Sequence, residues 1–305
     1  MTLKQSSAKF IYPLFCIVGI FSLSIQAEDL TPRSYTNIPI GQHFIGLAYA
    51  YTDGDLYTSA DVPYEDVTLT IKGEVIAYAQ TFELLGNSAK FDANVGHFCA
   101  DASAISEGER IYRDFCGFND AKIQLTYNFF GAKALSLQEY IKKEKELVIG
   151  VGLQISMPTG KYDTQYILNT GANRWFFKPE IGMSIPLDNW ELDISFGAKF
   201  FTDNDELQGS SRFEQDPIYN LQFHLVYDIA PGYWVAFNSN YFDGGDTYVN
   251  GKKSGIKEAN DRAGVTFSMA ISRYQTIKLF ANTGVTTRLG NDSDAYGIAW
   301  TYRWE

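Results

Sequence analysis

The strongest constraint on the fold of this chain is a regular alternation of apolar and polar side chains over long stretches. In the stretch 121–129 every second side chain is apolar and those between them are polar. The apolar set is Ala121, Ile123, Leu125, Tyr127 and Phe129. A similar alternation returns over 147–157, 190–200 and 219–227. A period of two sustained over such lengths is typical of a β-strand with one apolar face.

Two architectures contain such strands. A soluble sandwich points its apolar faces inward, whereas an outer-membrane barrel points them at lipid around a polar lumen. Sandwich strands usually have about five or six residues, but membrane strands need roughly 9 to 11. The segments here are of the longer kind, and aromatic residues such as Trp175, Trp190, Tyr233 and Trp304 stand at their ends, where interfacial girdles belong. The sequence therefore predicts an all-β, antiparallel transmembrane barrel in the outer membrane of a Gram-negative bacterium.

The alternation predicts about twelve strands, near 41–52, 70–84, 89–99, 117–130, 146–157, 174–186, 190–202, 217–229, 233–242, 261–272, 275–287 and 295–304. Tight turns at 86–88, 188–189, 230–232 and 273–274 alternate with longer loops at 53–69, 100–116, 158–173, 203–216, 243–260 and 288–294. Outer-membrane barrels have short periplasmic turns and longer outer loops, so both termini are predicted to be periplasmic.

One periplasmic connection, 131–145, is longer than the others. Ser136 and Glu139 have the spacing of a capping box, and Leu137, Tyr140 and Ile141 share one helical face. The connection is predicted to be either a short helix under the barrel rim or a plain amphipathic linker.

The N-terminus has the pattern of a secretory signal peptide. Lys4 and Lys9 accompany an apolar stretch from Phe10 to Leu23, and Ala27 ends a small-residue cleavage site. The stretch is shorter than the roughly 18 apolar residues that a membrane anchor needs. The predicted organisation is a signal peptide at 1–27, an N-terminal segment at 28–40 and a barrel at 41–305.

The segment 28–40 is polar and contains Pro32 and Pro39, which argues against a membrane strand. Two alternatives stay open. The segment inserts into the periplasmic mouth or the lumen as a plug, with Arg33 contacting lumen carboxylates such as Asp193, or it is a disordered tail, since chain ends are usually mobile.

The charge balance excludes one class of partner. The 305 residues contain 25 Lys and Arg against 36 Asp and Glu, for a net charge of -11. Nucleic acid is excluded because a protein that binds it needs a basic face to neutralise phosphates. Outer-membrane lipid and lipopolysaccharide are the predicted surroundings, with the acidic loops facing the divalent-cation layer of the outer surface.

The alternation also assigns charged side chains to the lumen. The cationic set is Lys90, Lys122, Lys178, Lys199, Arg262, Lys278 and Arg303. The acidic set is Asp92, Asp120, Glu180, Glu191, Asp193 and Asp228. The two signs nearly balance, whereas a pore that selects ions by a charge ring would have one sign prevailing. This balance predicts either a narrow passage for neutral or zwitterionic polar-aromatic solutes or a filled barrel that nothing crosses. The main lumen candidates are Lys122, Lys178, Glu180, Asp193, Lys199, His224 and Arg262.

No catalytic residue, metal ligand or cofactor site is predicted. None of the three histidines lies in the His-x-Ser motif of the barrel phospholipases. His224 near Asp228 could serve as a base, but a polar lumen side chain is the simpler interpretation. Gly150 and Gly152 lack the third glycine of a dinucleotide motif, and they are predicted instead to let lumen side chains pass.

Two cysteines, Cys99 and Cys116, remain after signal cleavage. In an oxidising compartment an even pair normally forms a disulfide. They are placed at the end of the third strand and the start of the fourth, so the bond would cross an outer loop.

The last strand has Gly297 followed by Trp300, Tyr302 and Trp304 at alternate positions. This pattern resembles the C-terminal assembly signal of outer-membrane barrels and predicts the barrel assembly machinery as a partner.

Further motifs extend a family resemblance along nearly the whole mature chain. They are Pro32-Arg33-Ser34-Tyr35, Gly117-Phe118-Asn119-Asp120, the stretches 157–163 and 169–175, Asp243-Gly244-Gly245-Asp246 and Arg262-Ala263-Gly264. With these motifs in this order, the sequence resembles the outer-membrane transporter family of the phenol-degradation meta pathway. The resemblance implies a small channel for organic solutes and brings no catalytic or ligand residues. The alternatives are a non-transporting structural or adhesin-like barrel and a lipid-modifying enzyme.

Overall fold

The computed structural model describes residues 31–57, 65–166, 168–254, 258–287 and 290–305. The predicted signal peptide at 1–27 lies outside the described residues.

Within the described residues the regular structure is almost entirely β. The strands are β1 (His43–Tyr57), β2 (Glu65–Leu84), β3 (Asn87–Ser106), β4 (Glu109–Phe118), β5 (Lys122–Phe130), β6 (Val148–Ser156), β7 (Phe176–Leu187), β8 (Trp190–Phe201), β9 (Asn204–Leu207), β10 (Ser211–Gln215), β11 (Ile218–Ala230), β12 (Tyr233–Gly244), β13 (Thr247–Val249), β14 (Lys252–Lys253), β15 (Glu258–Ala270), β16 (Gln275–Thr287) and β17 (Gly290–Trp304). The helix α1 (Leu137–Tyr140) lies between β5 and β6.

Twelve of these strands close into an antiparallel barrel in the order β1, β2, β3, β5, β6, β7, β8, β11, β12, β15, β16 and β17. The first and last strands complete the circle, with His43 opposite Trp304 and Tyr57 opposite Gly290. The predicted twelve-stranded barrel is confirmed. Closure satisfies the edges of the sheet, which in lipid would otherwise leave backbone groups without partners.

The two ends of the barrel differ. The turn end has the tight turns at Leu85–Gly86, Asp188–Asn189 and Pro231–Gly232, together with both ends of the described chain. The opposite end is the loop end.

The loops predicted at the loop end are partly wrong. Residues 100–116 form a hairpin instead, in which β3 pairs with β4 around a turn at Glu107 and Gly108, whose φ angles are 52° and 83°. A two-residue turn with φ positive at both positions matches the twist of the flanking strands. The predicted loops 203–216 and 243–260 contain β9, β10, β13 and β14, which pair into a second, four-stranded sheet. We call this sheet the cap sheet.

The two faces of the barrel have opposite chemistry. Apolar side chains such as Leu153, Phe196 and Leu225 are exposed on the outside, while polar side chains such as Glu191 and Asn240 are buried on the inside. This is the reverse of a soluble protein and suits a barrel surrounded by lipid.

Aromatic rings gather at the turn end of the outer surface. Tyr302 stacks between Trp300 and Trp304, with ring centroids 6.3 and 6.1 Å away, and Trp190 lies 4.6 Å from Tyr227. Such rings are stable at headgroup level because they are apolar at one end and polar at the other.

The connection between β5 and β6 contains the predicted short helix. The capping box is formed, because Ser136 Oγ accepts from the Glu139 backbone N–H and Glu139 Oε2 accepts from the Ser136 backbone N–H. In the described part of the chain, no helix has the length and apolar character to cross a membrane.

Candidate functional site: the barrel lumen

All seven lumen candidates lie on the inner face of the barrel. Lys122, Lys178, Asp193, His224 and Arg262 are buried, and the remaining two, Glu180 and Lys199, are half-buried. Their placement follows from the two-residue period, since each stands at an inward position of its strand. Their functional roles stay predictions.

Ion pairs and hydrogen bonds offset the charge of several side chains on the inner face of the barrel. Lys178 Nζ lies 3.3 Å from Glu180 Oε2, and Lys90 Nζ lies 3.2 Å from Asp92 Oδ2. Arg262 Nη2 donates to the carbonyl oxygen of Ser293 at 2.8 Å. Buried charges need such partners because removing an ion from water carries a large penalty.

Amide side chains form a polar band across β11 and β12. His224 Nδ1 lies 2.9 Å from Asn238 Oδ1, and Asn238 Nδ2 donates to Thr266 Oγ1 at 3.0 Å. Asn240 is 1% exposed, and among the described residues neither its Oδ1 nor its Nδ2 has a hydrogen-bond partner. The imidazole of His224 is therefore oriented by the Asn238 amide rather than by Asp228.

Residues 31–40, the described part of the N-terminal segment, enter the lumen at the turn end. The backbone N–H of Arg33 donates to Asp193 Oδ2 at 2.7 Å, and Arg33 Nη2 donates to Asp228 Oδ1 at 2.6 Å. The same Nη2 lies 3.6 Å from Glu191 Oε2. Thr36 Oγ1 also donates to Glu191. Arg33 does contact Asp193, but through its backbone, while its guanidinium binds the two neighbouring carboxylates.

Tyr35 is the most deeply inserted side chain of this segment, with an exposure of 2%. Its hydroxyl donates to Glu180 Oε1 at 2.7 Å. Its ring lies against Gly182, Gly150 and Gly152 on β6 and β7, where a Cβ atom would approach the Tyr35 side chain to 2.1, 2.8 and 3.3 Å. We call this glycine-lined recess the glycine niche. Gly150 and Gly152 were expected to let lumen side chains pass, and the side chain that lies against them is that of Tyr35.

The connection that carries α1 contacts the same carboxylates from below. Lys145 Nζ lies 2.6 Å from Asp228 Oδ2 and 3.5 Å from Glu191 Oε2. Burial raises the pKa of the Tyr140 phenol. A cavity of about 210 Å³ separates this connection from the N-terminal segment, and Thr36, Tyr140, Lys145 and Glu191 are among its lining residues.

The cap sheet covers the lumen at the loop end. The guanidinium carbon of Arg174 lies 4.3 Å from the ring centroid of Phe201 on β8 and 4.6 Å from that of Phe213 on β10. Phe213 and Leu207 of the cap sheet are almost completely buried. A cavity of about 40 Å³ remains below, and Lys122 is among its lining residues. Cation–π contacts of this kind hold the cap sheet against the barrel wall.

The two cysteines form a bond on the hairpin of β3 and β4. Cys99 lies directly opposite Cys116 in the strand register, with their Cα atoms 4.1 Å apart. The bond joins two paired strands rather than the ends of an irregular loop.

Comparison with known proteins places this geometry in a family. The family model described as "Putative MetA-pathway of phenol degradation" matches residues 41–302. The chain belongs to this family. No curated protein matches the sequence.

Solved structures share the fold of this family member. An outer membrane channel from Pseudomonas putida F1 is 18% identical with a TM-score of 0.76, over 90% of this chain and 100% of that chain. The translocator domain of the autotransporter NalP from Neisseria meningitidis is 8% identical with a TM-score of 0.56, over 92% and 95% of the two chains. The beta domain of the Bordetella autotransporter BrkA is 13% identical with a TM-score of 0.55, over 85% and 98%. The family member therefore has the closed β-barrel fold of these outer-membrane proteins.

Three features of the lumen were missed by the sequence reasoning. Tyr35 had a partial signal, because glycines recur at alternate positions 150, 152 and 182 of two strands that face the lumen. The cap sheet also had a signal in Asn250-Gly251, a strong hairpin dipeptide. The Lys145 contact had none, because nothing local relates a connecting residue to carboxylates on two distant strands.

Proposed function

We propose that this protein is an outer-membrane channel for small organic solutes, with a narrow polar lumen that the N-terminal segment closes. The observation that carries this proposal is the seating of Arg33 and Tyr35 on four wall carboxylates, Glu180, Glu191, Asp193 and Asp228. The segment is held by directional contacts that can break one by one.

The lumen chemistry favours neutral or polar-aromatic solutes over ions. Lys178 pairs with Glu180, and the band of Asn and Gln side chains presents amide donors and acceptors without net charge. Charge selectivity needs a ring of one sign at the constriction, and at Lys178 and Glu180 the two signs are adjacent. Hydrogen-bonding side chains without a net field suit a solute that carries a hydroxyl or a carbonyl group.

Electrical recording tests this function directly. In planar bilayers the full-length protein should give small conductance with weak ion selectivity, and deletion of residues 28–38 should raise the conductance. Ser34→Ala is the control, because among the described residues the Ser34 side chain donates only to the nearby carbonyl oxygen of Thr31. Equal conductance in the deletion variant and the full-length protein would contradict a plug.

Liposome swelling with phenolic and sugar solutes then separates a channel from a structural or adhesin-like barrel. The barrel of the non-transporting alternative would show no swelling even without residues 28–38. The observation in favour of that alternative is the contact between Arg174 and Phe213, which holds the cap sheet over the loop end. Incubation with labelled phospholipid tests the lipid-modifying alternative. The observed hydrogen-bond partner of His224 is the Asn238 amide, which is not a nucleophile.

The orientation of the barrel also belongs to this proposal. We place the turn end in the periplasm, because outer-membrane barrels have short periplasmic turns. The N-terminal segment then closes the lumen from the periplasmic side. Protease accessibility of a tag inserted between Glu107 and Gly108 on intact cells tests the orientation, since the hairpin of β3 and β4 would lie outside.

A further inference from the structure

The glycine niche is shaped for one kind of group. Gly150 and Gly182 are direct partners across β6 and β7, and Gly152 is the partner of Glu180. A Cβ at Gly182 would lie 2.1 Å from Cε2 of Tyr35, far inside van der Waals contact. The absence of side chains at these positions leaves a flat floor, and an aromatic ring fills it.

One edge of the niche is polar. Glu180 Oε1 accepts the Tyr35 hydroxyl at 2.7 Å, while Glu180 Oε2 lies 3.3 Å from Lys178 Nζ. The Asn220 side chain lies close to Glu180, because both flank Gly197. A Cβ added to Gly197 would lie 2.6 Å from Asn220 Oδ1 and 3.4 Å from Glu180 Oε2. The Nδ2 atom of Asn220 is buried and has no hydrogen-bond partner among the described residues. The niche thus combines a ring-sized floor, a charged acceptor for one hydroxyl and the nearby amide group of Asn220.

We infer that the glycine niche is a binding site for para-substituted phenols, and that Tyr35 occupies it as a tethered substitute for the solute. The inference rests on the proposed function in one respect, that the N-terminal segment leaves the lumen. The tyrosine side chain is a phenol with a carbon substituent at the para position, so a free 4-alkylphenol offers the same ring and hydroxyl. The para substituent would point along the path by which the backbone of Tyr35 now enters.

The same geometry sets a selectivity. A ring without a hydroxyl would fill the floor but leave Glu180 without its donor, and a hydrogen bond to a charged group is worth enough to change affinity by about tenfold or more. A saturated ring is thicker than an aromatic one and fits a floor of three glycines less well. Phenols are therefore preferred to toluene and to cyclohexanols.

Competition between the tethered and the free ring follows from their shared site. The tethered ring has the high effective concentration of an intramolecular group, so a dissolved phenol must displace it. A phenol bound in the niche would in turn keep the segment from reseating. The solute would then favour the open state of its own channel.

The test uses p-cresol, which has the atoms of the tyrosine side chain, titrated by calorimetry into purified detergent-solubilised protein. Tyr35→Ala should bind p-cresol at least about tenfold more tightly than the unmodified protein, which has its own ring in the niche. Toluene should bind Tyr35→Ala about tenfold or more weakly than p-cresol. Heat-modifiable migration in gel electrophoresis checks that each variant is a folded barrel.

A second substitution locates the site. Gly182→Ala added to Tyr35→Ala should abolish p-cresol binding, because the new methyl group stands where the ring lies. Gly46→Ala is the matched control, since its added Cβ would meet nothing closer than 3.7 Å, and binding should be retained. Binding that survives Gly182→Ala, or a folded Tyr35→Ala protein that binds no p-cresol, would overturn the inference. The protein without residues 28–38 repeats the titration with the whole segment removed, and absence of binding there also overturns it.

Calorimetry in detergent does not depend on conduction, so the two proposals fail separately. If Tyr35→Ala binds p-cresol but the deletion variant has unchanged conductance, the binding site is supported and the plug is refuted. If the deletion variant has raised conductance but p-cresol does not bind, the channel is supported and the binding site in the niche is refuted.

Discussion

Replacing Arg33 by Ala should open the channel without unfolding the barrel. Arg33 joins the N-terminal segment to the barrel wall through its guanidinium, which binds Asp228 at 2.6 Å and lies 3.6 Å from Glu191. The same group lies 5.2 Å from the ring centroid of Trp234. None of these contacts belongs to the strand ladder, so the twelve-stranded barrel should be unaffected.

The size of the effect follows from what the substitution leaves behind. A hydrogen bond between charged groups contributes about 1.5–3 kcal/mol. The lower value applies here, because Lys145 still pairs with Asp228 and Glu191 and leaves neither carboxylate isolated. The cation–π contact with Trp234 adds about 0.5 kcal/mol. The closed state should therefore lose about 2 kcal/mol, which is roughly a 30-fold change in the ratio of open to closed states.

Single-channel recording in planar bilayers measures this ratio from the open and closed dwell times. Arg33→Ala should shorten the closed times, and Arg33→Lys should lie between it and the unmodified protein because an ammonium keeps the charge but loses the planar geometry. Raising the salt from 0.1 to 1 M should shift the unmodified protein in the same direction, since the Debye length falls from about 10 to about 3 Å.

Ser34→Ala, in which the neighbouring side chain is truncated without loss of charge, is the control. If Arg33→Ala and Ser34→Ala have the same closed dwell times as the unmodified protein, the contacts of Arg33 do not hold the segment. The reasoning would then be refuted, since the charged contacts between Arg33 and the wall would have no effect on conduction.

Three further predictions concern the rest of the lumen and its outer end. Replacing Lys178 and Glu180 together by Ala should raise the conductance and keep ion selectivity weak, whereas a wide pore with strong cation preference would contradict the assignment of the inner face. Non-reducing peptide mapping should recover Cys99 and Cys116 in one crosslinked fragment, and the double Ser variant should keep heat-modifiable migration because barrel closure does not involve that bond; alkylation of both thiols in the native protein would disprove the pairing. Phe213→Ala should raise proteolysis of the cap sheet and leave the barrel resistant, as measured by limited digestion, and equal digestion patterns would show that this ring does not hold the cap sheet.

The sequence by itself determined the barrel. Period-two alternation over whole strands needs only the geometry of the extended backbone, so the face of each strand could be read from parity, as for Lys178 and Glu180 on β7. The helix cap of Ser136 and Glu139 was equally local, since its two hydrogen bonds link residues three apart in the chain.

Tertiary structure alone decided what occupies the lumen. The polarity and prolines of 28–40 exclude a strand but do not distinguish a mobile tail from a plug, because that difference depends on carboxylates supplied by β7, β8 and β11. The site of Tyr35 needs Gly150 and Gly182 to become partners across two strands, and that register is fixed by pairing around the whole barrel. The same holds for Arg174, whose two aromatic neighbours come from β8 and from a sheet that forms only when two loops meet. Local sequence sets the direction in which a side chain points, and closure of the barrel sets what it contacts.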